Sequence, residues 1–165
     1  LCEDDVMDST SKSLAPFVRH AGEGEAYWWL GSLAVIKAER KETGGHFTLI
    51  EVIENEGETP LHIHHREDET FLVLQGEIEF LVDGKRIKAG PGDTVFGPRG
   101  IPHGYTVRKG PARMLFLLTP GGFEDLVRAS SIPALAKRIP SAEDAIADFA
   151  ALPPIAMRFG CEMLG

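Results

Sequence analysis

With 165 residues, 43% of them hydrophobic, the chain is long enough for one domain with a substantial core and short for two. A formal charge of -8 works against a nucleic-acid backbone or an anionic membrane surface, both of which select basic patches, and leaves a small molecule or a protein as the natural partner. Cys2 and Cys161 are too few and too far apart for a disulfide scaffold, no apolar stretch reaches the roughly 20 residues of a membrane helix, and the acidic start is unlike a signal peptide. A reducing, cytoplasmic setting is expected, with Leu1 in place of a Met marking a trimmed start.

Residues 1–26 read as an N-terminal arm, polar and acidic apart from Leu14, Phe17 and Val18. From Tyr27 the character changes. WWLGSLAVIKA and, after the turn signal Glu42-Thr43-Gly44-Gly45, HFTLIEVI are rich in aromatic and β-branched residues and predict two strands. FLVLQ (71–75) and EIEFLVD (77–83) predict two more with Gly76 between them; in the second, Ile78, Phe80 and Val82 alternate with Glu77 and Glu79, so one wall faces a core. Asp83-Gly84 before KRIKA is a tight hairpin turn. DTVFG, HGYTVR and ARMLFLLT continue the pattern, each set off by Gly or Pro. About eight short strands between residues 28 and 119 predict an all-β fold over 27–120, an antiparallel barrel or a double-sheet jelly roll.

Residues 121–165 differ and read as a helical appendage packing on that barrel. FEDLVRAS predicts a helical turn. SAEDAIADFAAL predicts a helix with Ser141 as its N-cap, Asp144 three residues on, and Ile146 and Phe149 on one face, ended by Pro153-Pro154. IAMRFG predicts a last helical segment stopped by Gly160.

The chemistry gathers in PLHIHHREDETFLVLQG, residues 60–76, which sets three of the six histidines beside three carboxylates at the entrance to an apolar run. On a strand, His62 and His64 leave the same face while Ile63 and His65 leave the other. Glu69, five residues past His64, can return a carboxylate toward the same point, and His103, after the Pro- and Gly-rich turn of GPRGIPHGYTV, offers a third imidazole. Three nitrogens and a carboxylate suit one divalent first-row transition metal with positions left open for water, substrate or dioxygen. Nickel, iron, manganese, cobalt and zinc all satisfy that donor set. His20, His46 and His65 read as ordinary surface histidines, and spacing alone does not choose among Glu67, Asp68 and Glu69.

These residues resemble the two motifs of the cupin superfamily. Gly57, His62, His64, Glu69 and Gly76 align with the first, and Gly92, Pro98, Gly100 and His103 with the second. The chain departs from the usual pattern in having four residues between Gly57 and His62 where five are common, and Val107 where many members carry Asn. The order of Trp-Trp-Leu-Gly, a Thr-Gly-Gly turn, PLHIHHREDE and TPGGFEDLVR is similar to the small single-domain cupins called quercetin 2,3-dioxygenase-like. The resemblance implies a cupin-type double-stranded β-helix, a jelly-roll barrel, with a metal held by His62, His64, Glu69 and His103. It also implies an oxygenase that opens a flavonol, or a related aromatic hydroxy compound, with O2 and loss of carbon monoxide. In such an enzyme the metal acidifies the substrate hydroxyl and Glu69 takes its proton.

The pocket then holds a flat aromatic ligand; of Phe71, Phe80, Phe96, Tyr105 and Phe116, all in strand-like runs, some face inward, the register does not say which, and most read as ordinary packing between the sheets. Phe71, two residues from Glu69, and Tyr105, two from His103, are the expected substrate contacts. Two other classes compete. One is a non-redox metal-dependent cupin (a cyclase, isomerase or dehydratase of a polyketide or sugar-like substrate), with Glu69 or Tyr105 moving protons. The other is a non-catalytic small-molecule-binding cupin, against which the short, acidic C-terminal helices argue, since a sensor reading DNA needs a basic recognition helix. A homodimer is expected, because WWLGSLAVI would make a costly exposed edge in a monomer.

Overall fold

The computed structural model describes residues 14–164; Cys2 and the first half of the expected arm lie outside the described residues. From Leu14 the chain runs without regular structure to β1, tied down where the Arg19 guanidinium donates to both Glu42 carboxylate oxygens, at 2.5 and 3.0 Å, and to the Lys37 carbonyl. Eleven antiparallel strands follow among the described residues.

WWLGSLAVIKA is not one strand but a hairpin, β1 (Glu25–Trp29) and β2 (Ser32–Ala38), turned at Leu30 and Gly31, whose φ angles of 53° and 79° are those of the two-residue turn that matches strand twist. β3 (Thr48–Glu54) pairs with β2, and the short β4 (Gly57–Glu58) and β5 (His62–His64) lead to the first long strand, β6 (Asp68–Val82). The Asp83-Gly84 hairpin forms as expected and joins β6 to β7 (Lys85–Ala89), followed by β8 (Thr94–Gly97) and the second long strand, β9 (His103–Thr119).

Where four strands are predicted at 71–83 and 103–119, the structure has two. β6 runs through Gly76 and β9 through Gly110-Pro111, and the two pair along their whole length with register shifts between Val73 and Ile78. Those shifts exchange the buried parity: Glu69, Phe71 and Val73 turn inward before the bulge, and Ile78, Phe80 and Val82 after it. On β9 the inward set changes from His103, Tyr105 and Val107 to Ala112, Met114, Phe116 and Leu118. Gly76, with φ +95°, is required at the bend, since a Cβ there would stand 3.0 Å from the Ala112 Cα and the Lys109 carbonyl.

Each long strand therefore serves two layers. The first half of β6 pairs with β8 and with the last half of β9, which also pairs with β3; the second half of β6 pairs with β7 and with the first half of β9, beside β4 and β5. Phe71 and Phe116 from one layer meet Phe80 and Tyr105 from the other, the Phe71 centroid lying 5.0 Å from those of Phe80 and Phe116. This is the expected all-β jelly roll.

The C-terminal segment is more than a helical appendage. α1 (Glu124–Ala129) forms where a helical turn is predicted; β10 (Ile132–Pro133) then pairs with β1. WWLGSLAVI is accordingly covered, with β1 between β2 and β10, so the exposed edge that motivates a dimer is not there. No helix forms at 141–148: the Asp144 carboxylate accepts from the Ser141 amide and hydroxyl and from Arg138, and Ile146 and Phe149 stay half-exposed with no face to bury. The helix comes later. After a 3-10 turn at Phe149–Ala151, α2 (Leu152–Arg158) starts with Pro153 and Pro154 in its first turn, where a missing N–H costs nothing, so the prolines begin this helix instead of ending the one before. Gly160 stops it as predicted, and β11 (Cys161–Met163) adds to β5 with Cys161 opposite His64 and Met163 opposite His62.

Candidate metal centre

β5 is three residues long, held between β9 and β11, and the two-residue period of a strand sends both His62 and His64 inward. His103, the first residue of β9, pairs directly with His62, and Glu69 enters from the other layer on β6. Gly97 on β8 faces the His103 ring, where a Cβ would lie 3.3 Å from it, so this glycine makes room for the imidazole. The four side chains are buried, and one donor atom from each falls within 4.8 Å of every other.

The Glu69 Oε2 lies 3.0 Å from the His103 Nε2, 3.1 Å from the His64 Nε2 and 4.0 Å from the His62 Nε2. On their far sides, His62 Nδ1 donates to the Pro60 carbonyl at 2.7 Å and His103 Nδ1 to the Ile101 carbonyl at 3.0 Å. Those bonds place the proton on Nδ1 and leave the Nε2 lone pair turned into the cluster, the tautomer a metal requires. The His64 Nε2 is close to Glu69 but not aligned for a hydrogen bond, and it has no other partner. A buried nitrogen without a partner costs free energy that a shared cation would recover. The donor set, the tautomers and this unpartnered atom fit one divalent ion.

The cluster's preference for positive charge already shows toward the proton. Burial alone would lower the His64 pKa, but Glu69 and then Glu67 outweigh it and hold it up at about 9. Burial alone would likewise raise the Glu69 carboxyl, yet the His64 charge and the imidazole contacts hold it well below the usual carboxylate range.

Three consecutive acids have three different fates. Glu69 joins the histidines. Asp68 faces out and takes the Arg99 guanidinium and backbone amide, fastening the second motif's loop to β6. Glu67 is buried behind His64, its Oε2 3.5 Å from the His64 Nδ1. Spacing gave no reason to single it out; its closeness to the far side of the His64 ring is what suits it to steady that imidazole as an outer carboxylate. Glu67→Gln is expected to weaken metal binding by about 10–100-fold, read by competition with a chromogenic chelator. Asp68→Asn is expected to change neither metal content nor binding in the same assay.

The centre opens into a cavity of about 260 Å³, a little under the ~300–1,000 Å³ usual for small-molecule sites, so its occupant is compact. Phe71, Phe116 and Tyr105 line it, together with Trp29, Phe123 and the half-exposed Phe149. Phe96 is excluded: it is 55% exposed, because Val95, opposite Phe71, takes the inward position on β8. Phe123, which precedes α1, packs tilted against His64 with ring centroids 5.1 Å apart and edge-on to Trp29 at 5.8 Å; nothing in its sequence context set it apart. Val107, where many cupins carry Asn, is a core residue opposite Gly57 and touches no ligand. His20 and His46 are exposed, and His65 pairs with Glu162 at the surface, as expected of bystanders.

Comparison with known proteins agrees with this geometry. The cupin domain family matches residues 48–118. Quercetin 2,3-dioxygenase of Bacillus subtilis is 31% identical over 119 residues, 72% of this chain; the chain spans about a third, 35%, of that protein's length. Among solved structures, an RmlC-like cupin from Shewanella frigidimarina (21% identity, TM-score 0.57, 70% of this chain and all of that one) shares the fold. So does KdgF from Halomonas sp. (20%, TM-score 0.57, 67% and 97%). A third is Pac13, described as a nucleoside dehydratase (17%, TM-score 0.56, 78% and 98%). A jelly roll whose two motifs close three imidazoles and one carboxylate around a single point, matched by these relatives, places the chain in the cupin superfamily.

Proposed function

We propose that the protein is a metal-dependent dioxygenase that opens the heterocycle of a flavonol, or of a related aromatic hydroxy compound, with O2 and release of carbon monoxide. The observation that carries this reading is the buried cluster of His62, His64, Glu69 and His103, of which His62, His64 and Glu69 line a cavity walled by aromatic rings. The sequence kinship with a quercetin 2,3-dioxygenase supports it. A divalent first-row ion bound by these four residues would supply Lewis acidity toward a substrate hydroxyl. Glu69 takes the proton that such a hydroxyl loses. His62 and His103 are fixed by hydrogen bonds to the Pro60 and Ile101 carbonyls, so these two imidazoles need no rearrangement to receive substrate. Phe71, which packs edge-on to His103 and Tyr105, keeps water from that side. The ion itself is one of nickel, iron, manganese, cobalt or zinc.

A non-redox reaction, such as a dehydration, is the second reading, and the observation favouring it is Glu54 in the same cavity, a carboxyl that burial raises to about 7, suited to moving protons near neutrality. One experiment separates the two: elemental analysis of the purified protein with an oxygen-electrode trace on a flavonol panel and carbon monoxide measured in the headspace. Oxygen uptake matched by carbon monoxide is expected; zinc-loaded protein with no uptake on any flavonol supports the second reading. No helix among the described residues is long and apolar enough to cross a membrane. A homodimer stays a proposal, to be read from a light-scattering mass.

A further inference from the structure

β3 turns Thr48, Ile50 and Val52 into the interior, all at most 1% exposed, and the next residue on that face is Glu54. A strand position that continues a core face is a costly place for a carboxylate. Glu54 Oε1 is nonetheless shut away from solvent and has no hydrogen-bond partner, although the Tyr105 hydroxyl lies near enough to pull the Glu54 pKa slightly down against the larger upward effect of burial. Thr48 and Glu69 both stand opposite Leu118, so Glu54 sits at the other end of β3 from the level of the metal centre, yet both glutamates line one cavity. Glu56 and Glu58 also line it, and no Lys or Arg does among the described residues.

We propose that Glu54 is a substrate-anchoring residue whose carboxyl group hydrogen-bonds a hydroxyl at the end of the ligand remote from the histidine cluster, so that the site selects an uncharged, polyhydroxylated aromatic molecule. The inference rests on the flavonol reading and narrows it. A second hydroxyl satisfies the unpartnered oxygen, and a site that hydrogen-bonds such a group discriminates against the analogue lacking it. The four glutamates without a basic residue repel a carboxylated or phosphorylated ligand.

The test is anaerobic binding of two probes to the metal-loaded full chain, quercetin and 3-hydroxyflavone, which lacks the additional ring hydroxyls, followed by quenching of tryptophan fluorescence, Trp29 being part of the wall. Quercetin is expected to bind the unaltered protein about tenfold tighter than 3-hydroxyflavone. Glu54→Leu is expected to abolish that preference while leaving 3-hydroxyflavone affinity and metal content unchanged, and Glu54→Gln, which still hydrogen-bonds, to keep most of it. Equal loss of both probes, or loss of neither, overturns the role of Glu54 and leaves the dioxygenase reading standing. Unaltered, metal-loaded protein that binds neither probe overturns the flavonol reading, and this substrate class with it.

Discussion

Glu69→Gln is expected to fold, to retain part of its metal, and to turn quercetin over at least about 100-fold more slowly than the unaltered protein. The amide keeps an oxygen that can face the three imidazoles, so the centre loses charge but not shape. It cannot accept a proton. In the unaltered protein the Glu69 carboxylate, only 3% exposed, has its Oε2 within 3.0–4.0 Å of three Nε2 atoms and is held well below the usual carboxylate range. A group so stabilised is a weak base where it sits, so proton transfer requires substrate binding to draw the carboxylate away from the imidazoles. Rates from an oxygen electrode, normalised to metal content by elemental analysis, separate the two duties of this residue. A variant that keeps its full rate per metal removes Glu69 as the proton acceptor; one that loses the metal outright makes it a ligand first.

How the sequence reveals this centre depends on what each residue is next to. His62 and His64 were legible because a period of two on a short strand leaves no other common face, and His103 because the Pro- and Gly-rich turn before it fixes where β9 begins. Glu69 was singled out from three neighbouring acids only through its match to a family motif; the physical distinction is tertiary, since Arg99 claims Asp68 and the His64 ring faces Glu67. Glu54 carried a signal in the inward series Thr48, Ile50, Val52, but Glu51 on the same strand is buried too, on the opposite face, paired with Arg113. Alternation alone does not say which of two glutamates has a partner.

The same limit governs the strands. Glycine marks a turn at Asp83-Gly84 and a bulge at Gly76, and what distinguishes them is whether the following segment folds back or continues, which β9 decides by pairing along the whole of β6. At 141–148 a helix needs an apolar face to bury, and none is buried there: the Ser141 amide donates to Asp144 as a helix start would have it, but the chain beyond stays exposed and Arg138, whose guanidinium covers the Trp28 ring at 5.6 Å, takes the same carboxylate. Nor does the fold decide the reaction. The jelly roll is shared with a protein described as a dehydratase, while the sequence kinship is with a dioxygenase, so the chemistry rests on the side chains that face the cavity.

Glu54 should also be visible in the stability of the protein against pH, measured as the difference between the unaltered chain and Glu54→Leu. Its carboxyl rises on folding from an ordinary 4.5 to about 7, chiefly through burial. Between those values the folded state holds more protons than the unfolded one, so stability falls as pH rises through this window and is level above it. At about 1.4 kcal/mol for each tenfold change in proton affinity, the full effect is about 3 kcal/mol, or roughly 6–12 °C in thermal midpoint for a chain of this size. Tyr105 faces Glu54 from β9, Glu56 and Glu58 follow it along the cavity wall, and Glu69 and His64 lie further in. All are present in both proteins, so their own titrations largely cancel in the difference. Glu54→Leu should therefore melt close to the unaltered protein at pH 4 and well above it at pH 8. A difference that stays flat across that range would show that Glu54 meets water or a partner on folding. A widening one would mean that the chain keeps a destabilising carboxylate on its cavity wall, which is what a residue retained for binding substrate looks like.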